Sequence, residues 1–356
     1  MQHQIDCEVV PVDILLDAAT VRDGRLHVNL EDYACLVVPY AEALPAAMMK
    51  RLTELAGQGL PLRFVGGLPV RTSEGRDVTR ELSYLANHPL VKVVTLEGLA
   101  HELRADGHYD IRAGSYEPYL RSYHYLHEGL DVFMFFNEDP AQSIQTRIVL
   151  PIEEEVVGYD AFRNRLVQLQ VDKENGKSAV ELSLQPYESI VLLSGADLAD
   201  DAVLPLKPVG EAVELHGDWT VFTSAALQYP CFQEWGKLTA LTNMSGQEYL
   251  PRFTGTFRYE TEFEWNEASA PVLLELGEVY ETAEVWINGE PAGVRICPPY
   301  RFEICGPVKQ GTNKVTVEVT NTLVKEQPDF LSAFSQQEPS GLMGPVRLTR
   351  LINPRT

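Results

Sequence analysis

A stretch of strict alternation between residues 253 and 265 constrains the fold of this chain more than any other feature. One face carries Phe253, Gly255, Phe257, Tyr259, Thr261, Phe263 and Trp265, and the other carries Thr254, Thr256, Arg258, Glu260, Glu262 and Glu264. Because successive strand side chains point to opposite faces, the pattern predicts a strand with one face in a core and one in water. Val315, Val317 and Val319 repeat it, so residues 209–356 are predicted to form two packed antiparallel sheets.

Residues 1–112 instead alternate between strand and helix signals. The apolar run 34–39 is typical of a strand covered on both faces, and the runs 61–66 and 91–94 predict further strands. Residues 45–57 place Met48, Leu52 and Leu55 on one helical face, and a helix capped by Thr95 follows, with Leu96, Leu99, Ala100 and Leu103 at core-facing spacing. This order predicts an open parallel sheet with helices on its faces.

Residues 113–208 have the two-residue period of a β-sandwich. Ile144, Ile148 and Ile152 alternate with more polar neighbours, as do Val180, Leu182 and Leu184. Short strands separated by turn signals favour a sandwich, and residues 172–177 are predicted to form an exposed hairpin tip. A chain of 356 residues exceeds one ordinary domain, in agreement with three segments.

The formal net charge of -22 excludes some partners, because an acidic chain repels nucleic-acid backbones and anionic membranes. No apolar stretch is long enough for a membrane helix. Residues 1–6 lack a secretory signal, which predicts a cytoplasmic protein, or an exported one if the chain belongs to a longer precursor. The five cysteines contain no CxxC pair, so free buried thiols are predicted, with a Cys297–Cys305 disulfide as the alternative.

The run 276–293 predicts a hairpin. Ala283, Val285 and Ile287 face one way and Trp286 the other, and Asn288-Gly289 supplies the two positive-φ positions of a tight turn. The surrounding sequence resembles the sugar-binding jelly roll of family 2 glycoside hydrolases. The resemblance is carried, in order, by TGTFRY (254–259), LG…VWING (276–289), PYRF (299–302), GTNKV (311–315), VTNT (319–322) and SGLMGPV (340–346).

The order of the three segments resembles the C-terminal half of large α-L-rhamnosidases of glycoside hydrolase family 106 and of β-galactosidase-like proteins. VRDGRL (21–26), YACLVVP (33–39) and GLDVFMFFN (129–137) carry this wider resemblance. It implies a flavodoxin-like, glutamine-amidotransferase-like α/β domain that lacks its first strand–helix unit and is catalytically silent. The family's catalytic barrel needs about 250 residues, for which these segments leave no room.

The resemblance also guides the choice of sugar contacts. The stretches 278–281 and 335–339 both depart from the residues that reach the active site in family 2 β-galactosidases. Glu278, Tyr280, Tyr300 and Arg301 flank the hairpin and could supply an aromatic platform and polar partners for hydroxyls. Trp286 is either a packed sheet residue or a platform. No catalytic residue, metal ligand or cofactor is predicted; His124 and His127, three apart in a strand, point to opposite faces.

Three functions follow from these features. The leading hypothesis is a non-catalytic carbohydrate-binding or scaffold portion of a rhamnosidase- or β-galactosidase-like enzyme, with a plant-type oligosaccharide as partner. The second is a structural module that braces a catalytic barrel in a separate chain. The third is an independent hydrolase that uses Glu278 with Glu338 in a cleft.

Overall fold

The computed structural model describes residues 2–195, 201–266, 271–327, 329–331 and 333–353. The chain divides into two compact units: Met1–Pro118 with Ile148–Pro151, and Tyr119–Arg147 with Ile152–Thr356. None of the helices in the described ranges is both long and apolar enough to cross a membrane.

The first unit contains every α-helix of the described chain and two kinds of sheet. Its elements are α1 (Val12–Asp17), β1 (Thr20–Arg22), β2 (Arg25–Val28), β3 (Glu31–Tyr33), β4 (Leu36–Val38), β5 (Ala43–Leu44), α2 (Ala46–Gly57), β6 (Leu62–Val65), β7 (Arg71–Thr72), α3 (Thr79–Asn87), β8 (Val91–Val94), α4 (Leu96–Ala105) and β9 (Arg112–Ala113). β4, β6 and β8 form a parallel sheet in that order, and β5 pairs with β7 in parallel. The predicted parallel strands and the helix at 45–57 are confirmed.

Local chemistry explains the helix boundaries in this unit. α2 buries Met48, Leu52 and Leu55, as its 3.6-residue period predicts. Thr95 caps α4, since its Oγ1 accepts a hydrogen bond from the Gly98 N–H at 3.0 Å. The prediction that Leu96 faces the core is wrong: its side chain is 70% exposed, because it begins the helix and only the last turn buries a leucine.

Eight strands of the sandwich follow. They are β10 (Leu120–His127), β11 (Leu130–Asn137), β12 (Ile144–Val149), β13 (Val156–Asp160), β14 (Arg165–Val167), β15 (Val171–Glu174), β16 (Lys177–Leu184) and β17 (Ser189–Ser194). One sheet has the order β10-β11-β17-β13-β14, and in the other β16 lies between β15 and β12. Asn175 and Gly176 take positive φ between β15 and β16, which confirms the predicted hairpin tip.

The jelly roll is built from β18 (Lys207–Glu214), β19 (Trp219–Ala225), β20 (Gln233–Leu238), β21 (Gly255–Trp265), β22 (Val272–Glu275), β23 (Glu278–Tyr280), β24 (Thr282–Ile287), β25 (Glu290–Arg295), β26 (Arg301–Ile304), β27 (Gly311–Thr320), a 3-10 helix (Leu323–Lys325), β28 (Gly341–Gly344) and β29 (Arg347–Ile352). A four-stranded sheet has the order β18-β29-β22-β26, and a six-stranded sheet has the order β20-β19-β21-β27-β24-β25. β23 pairs with β28.

One apolar core joins these two sheets. The six-stranded sheet contributes Tyr259, Val285 and Val317, and the four-stranded sheet contributes Leu274 and Phe302, all fully buried. The predicted alternation of β21 is confirmed on this inner face. On the outer face Thr256 is an exception, because it is 4% exposed and its hydroxyl pairs with that of Thr320 at 2.9 Å.

Charged and aromatic side chains of the sandwich and the jelly roll meet within the second unit. Arg165 pairs with Glu303 at 2.6 Å between Nη2 and Oε2. The guanidinium carbon of Arg295 lies 4.4 Å from the ring centre of Phe162 and 4.9 Å from that of Phe302. Arg295 is 6% exposed and Phe302 is fully buried, so the contact between these two takes place away from water, where cation–π contacts are strongest.

All five cysteines are free thiols. Four of them are exposed, and only Cys35 is half-buried, so the predicted burial of these thiols is wrong. Cys297 lies in the connection between β25 and β26, and Cys305 directly follows β26, so both are outside the sheets whose inner faces form the core. Burial raises the pKa of the Cys35 thiol to about 11.

Gly255 begins β21 with φ +142°. A Cβ there would lie 2.2 Å from the backbone oxygen of Ser224 on β19. We expect Gly255→Ala to lower the free energy of unfolding by about 3 kcal/mol, from overpacking and backbone strain together. Gly289→Ala is the matched control: φ is +83° but no atom lies within 4 Å of the added carbon, so only about 1–2 kcal/mol of strain is expected. Equal losses in urea unfolding would contradict the steric account.

Candidate functional site

A groove lies on the outer face of the six-stranded sheet. The inward residues of β21, β24 and β27 fill the core, so the residues between them must point outward. Strand register then places outward side chains side by side: Arg258 is opposite Glu318, and Glu318 is opposite Glu284. The groove has a volume of about 450 Å³ and is lined by Tyr229, Arg258, Glu260, Trp286, Gly289, Lys314, Thr316 and Glu318.

The floor of the groove is an ion pair between the partly exposed Arg258 and the buried Glu318. Glu318 is 5% exposed, and its Oε1 accepts from Arg258 Nε at 2.8 Å and from Nη2 at 2.6 Å. Its other oxygen accepts from the Tyr229 hydroxyl at 3.1 Å. The Arg258 guanidinium carbon also lies 3.7 Å from the ring centre of Phe232. These contacts satisfy both carboxylate oxygens and hold the floor rigid.

A second row of outward residues forms the wall. Thr316 lies between Glu260 on β21 and Trp286 on β24. The Glu260 carboxylate pairs with Lys314 at 2.7 Å between Oε2 and Nζ. Trp286 is half-buried, with its neighbours Val285 and Ile287 in the core. The indole therefore presents an apolar surface beside carboxylate and hydroxyl oxygens.

Glu284 lies next to this floor. It shares the outward face of β24 with Trp286 and is directly opposite Glu318, a position that brings Cβ atoms to about 5 Å. The Glu284 carboxylate makes no hydrogen bond or ion pair with any residue in the described part of the chain. Burial, and after it the negative charge of Glu318, raises the pKa of the Glu284 carboxyl.

Because the pKa of Glu284 is raised in the folded chain, replacing this carboxyl by a neutral amide is expected to stabilise the protein in a pH-dependent way. A carboxyl whose pKa is higher in the folded chain binds protons more tightly there, so its charged form destabilises the fold as pH rises through that pKa. We expect Glu284→Gln to increase the free energy of unfolding at neutral pH, and the gain to vanish below the ordinary carboxyl pKa, where Glu284 is protonated in both states. Urea unfolding across this pH range measures it. The control is Glu264→Gln, which removes the same charge at an exposed position. If both variants gain the same free energy of unfolding with the same pH dependence, the prediction is contradicted.

The residues predicted from sequence as sugar contacts lie in different places. Tyr280 and Glu278 are neighbours on β23, with the Tyr280 hydroxyl donating to Glu278 Oε2 at 3.5 Å. Tyr300 is 7% exposed and its hydroxyl donates to the Glu281 carbonyl. Arg301, on β26, lies 2.9 Å from Glu275 between Nε and Oε1. Trp286 lies in the groove on the other sheet.

Charge and burial describe the group around Tyr280 further. Burial raises the pKa of the Tyr280 hydroxyl, and the negative charges of Glu278 and Glu338 raise it further. Burial also raises the pKa of the Tyr300 hydroxyl, which lies close to Tyr280. Glu278 and Glu338 are both exposed. That exposure disfavours the hydrolase alternative, because an acid–base pair of carboxylates needs a concave, water-poor setting.

Arg258, Glu318 and Tyr229 are groove residues that the sequence did not single out. The alternation of β21 and β27 already places Arg258 and Glu318 on the polar face. What the sequence lacks is the order of the strands, since the pair is separated by 60 residues. Tyr229 follows β19 in a connection without a periodic pattern.

A mostly β chain is consistent with the β-sandwich and jelly-roll domains of glycoside hydrolases, and the comparisons with known proteins agree. A putative β-glucuronidase of Formosa agariphila is 30% identical over 169 residues, which are 43% of this chain and 14% of that protein. The structure of a rhamnosidase from Novosphingobium sp. PP1Y aligns with a TM-score of 0.63 at 20% identity, over 95% of this chain and 35% of that one. No family model matches the chain.

These similarities cover only part of each relative. The chain spans about a third of the rhamnosidase chain, with 35% covered, and the sequence match is confined to a smaller share of the β-glucuronidase. The chain is therefore homologous to glycoside hydrolases at partial coverage, and the likeness to the rhamnosidase is one of fold.

Proposed function

We propose that this chain is a non-catalytic carbohydrate-binding portion of a rhamnosidase- or β-galactosidase-like glycoside hydrolase. The observation that carries the proposal is Trp286, whose indole borders a groove lined by fixed carboxylate, guanidinium and hydroxyl groups. The finer assignments belong to the same proposal: a family 106 type of parent, a position in its C-terminal half, a flavodoxin-like domain at 1–112, a sandwich at 113–208 and a sugar-binding jelly roll at 209–356.

The chemistry of the groove suits a sugar. A pyranose ring presents an apolar face that packs on an indole, and hydroxyls that need both donors and acceptors. Glu260 offers acceptor oxygens that its ion pair with Lys314 already orients, beside the Arg258–Glu318 pair of the floor. The groove volume of about 450 Å³ lies within the range of small-ligand sites, about 300–1,000 Å³.

The test is a titration of the protein with plant-type and chitin-type oligosaccharides by calorimetry, together with an assay for released sugar. We expect weak binding, with a Kd in the range of about 10 μM to 1 mM, and no hydrolysis. In two-dimensional NMR the Trp286 indole N–H should shift, whereas that of Trp219, which is 2% exposed, should not. A panel without heat, or sugar release by the purified chain, would overturn the proposal.

The group formed by Tyr280, Glu278 and Tyr300 is proposed as a second sugar contact, at the end of the jelly roll. Tyr280 lies close to both Glu278 and Tyr300. Arg301 follows Tyr300 in the chain and pairs with Glu275. A Tyr280→Ala variant that binds every glycan of the panel as the parent chain does would remove this contact from the proposal.

A scaffold role is the second candidate function, and an exposed apolar segment favours it. Phe330, Leu331 and Phe334 are between 74% and 80% exposed, with the two phenylalanine rings 5.3 Å apart. Such a patch marks a protein interface, here with a catalytic barrel in a separate chain. Co-purification with a barrel encoded next to this chain, lost on Phe330→Ser with Phe334→Ser, would support this role. Unchanged co-purification of the double variant would contradict it.

A further inference from the structure

The positive charges of the groove are all paired, but one neighbouring negative charge is not. The two cations are both engaged, Arg258 with Glu318 at 2.6 Å and Lys314 with Glu260 at 2.7 Å. Two carboxylates of the lining pair with them. A third carboxylate, Glu284, adjoins the groove on the outward face of β24, opposite Glu318, and makes no ion pair within the described ranges of the chain. One uncompensated negative charge therefore lies beside the groove, on the strand that also carries Trp286.

We propose that the groove selects glycans that carry a protonated amino group, and that Glu284 is the residue that recognises it. This specificity rests on the proposed carbohydrate-binding function of the groove. The ligand class is a β-linked oligosaccharide of 2-amino-2-deoxy sugars. One ring packs on the Trp286 indole while its ammonium group donates to the Glu284 carboxylate, two residues away on the same face.

The energetics of burial favour an ammonium ligand. A half-buried carboxylate beside a second negative charge is destabilised, and a cation that arrives with the ligand relieves both effects. A neutral sugar leaves Glu284 uncompensated and buries it further. Glu284, beside the groove, can therefore discriminate between charged and neutral sugars. The two carboxylates of the lining, Glu260 and Glu318, cannot, because each already pairs with a cation.

The same charges disfavour uronic acids. Arg258 and Lys314 are each already paired with a protein carboxylate, and a ligand carboxylate would also be repelled by the unpaired charge of Glu284. Withdrawing Arg258 would leave Glu318, which is 5% exposed, as a buried charge without its partner, a costly arrangement. Although the chain is similar to a putative β-glucuronidase, we therefore do not expect this groove to prefer a negatively charged sugar.

The test compares three tetrasaccharides by calorimetry at mildly acidic pH: β-1,4-linked glucosamine, its fully N-acetylated counterpart, and oligogalacturonate. We expect the glucosamine tetramer to bind about tenfold more tightly than the acetylated one and the galacturonate tetramer not to bind. Glu284→Gln should abolish the tenfold preference and retain the acetylated tetramer. Because the net charge of -22 attracts any polycation, Glu264→Gln serves as the matched control and should retain the preference.

The outcomes separate this inference from the proposed function. Equal affinity for the amino and acetylated tetramers, or a preference that survives Glu284→Gln, overturns the specificity and leaves carbohydrate binding intact. Binding of the galacturonate tetramer alone would likewise overturn the specificity for amino sugars and leave carbohydrate binding intact. A chain that binds none of the three, nor any glycan of the wider panel, overturns both.

Discussion

Replacing Trp286 by alanine is expected to weaken glycan binding at least tenfold, about 1.4 kcal/mol, while the protein stays folded. The indole borders the groove, and stacking of an aromatic ring on a sugar is lost with it. Its removal opens no cavity in the core, because Val285 and Ile287, not Trp286, point inward from β24. Calorimetric titration with the tightest glycan of the panel measures the change.

Two controls make this result specific. Trp286→Phe keeps an aromatic face and should retain part of the affinity, whereas Trp286→Ala should not. The free energy of unfolding of the alanine variant should fall by less than about 1 kcal/mol, as for other changes outside the core. If Trp286→Ala binds glycan as the parent chain does, the sugar lies elsewhere, and the group around Tyr280 becomes the better candidate.

The periodicity of apolar residues was sufficient to predict helices and strands that have one buried face. β21 alternates over a long stretch, and α2 repeats apolar residues at Met48, Leu52 and Leu55, so both were predicted at nearly their observed positions. For β27 the alternation predicted only residues 315–319 of Gly311–Thr320. The antiparallel strands β1 to β3 were missed. β3 is the polar tripeptide Glu-Asp-Tyr, and its pairing with β2 depends on tertiary contacts that leave no local pattern.

The site was predictable only in part, because faces can be inferred from sequence and neighbours cannot. The outward direction of Trp286 and the turn at Asn288, with φ +54°, follow from alternation and turn chemistry. That Trp286 lies one strand from Thr316 and two from Glu260 follows from the order β21-β27-β24, which no local signal encodes. Likewise, the hydrogen bond from Tyr300 to the Glu281 carbonyl joins a side chain to the backbone of a distant loop.

Tyr259→Ala is expected to destabilise the jelly roll by about 3–5 kcal/mol, the largest effect among these substitutions. Tyr259 is fully buried in the centre of β21, and its ring centre lies 6.4 Å from that of Phe257. Its hydroxyl accepts a hydrogen bond from the buried Leu342 N–H at 3.1 Å. The alanine variant therefore loses a large apolar contact and an acceptor together, and urea unfolding followed by tryptophan fluorescence measures the loss.

Tyr259→Phe separates the two losses. It keeps the ring in the core but leaves the Leu342 N–H without its acceptor, for which we expect about 1–3 kcal/mol. Because Arg258 adjoins Tyr259 on the opposite face of β21, the alanine variant should also weaken glycan binding, whereas the phenylalanine variant should bind normally. A phenylalanine variant as stable as the parent chain would show that the hydroxyl contributes nothing and that ring packing alone joins β21 to β28. Loss of binding in both variants would instead mean that the groove depends on the position of β28, through Leu342, and not only on the strands that line it.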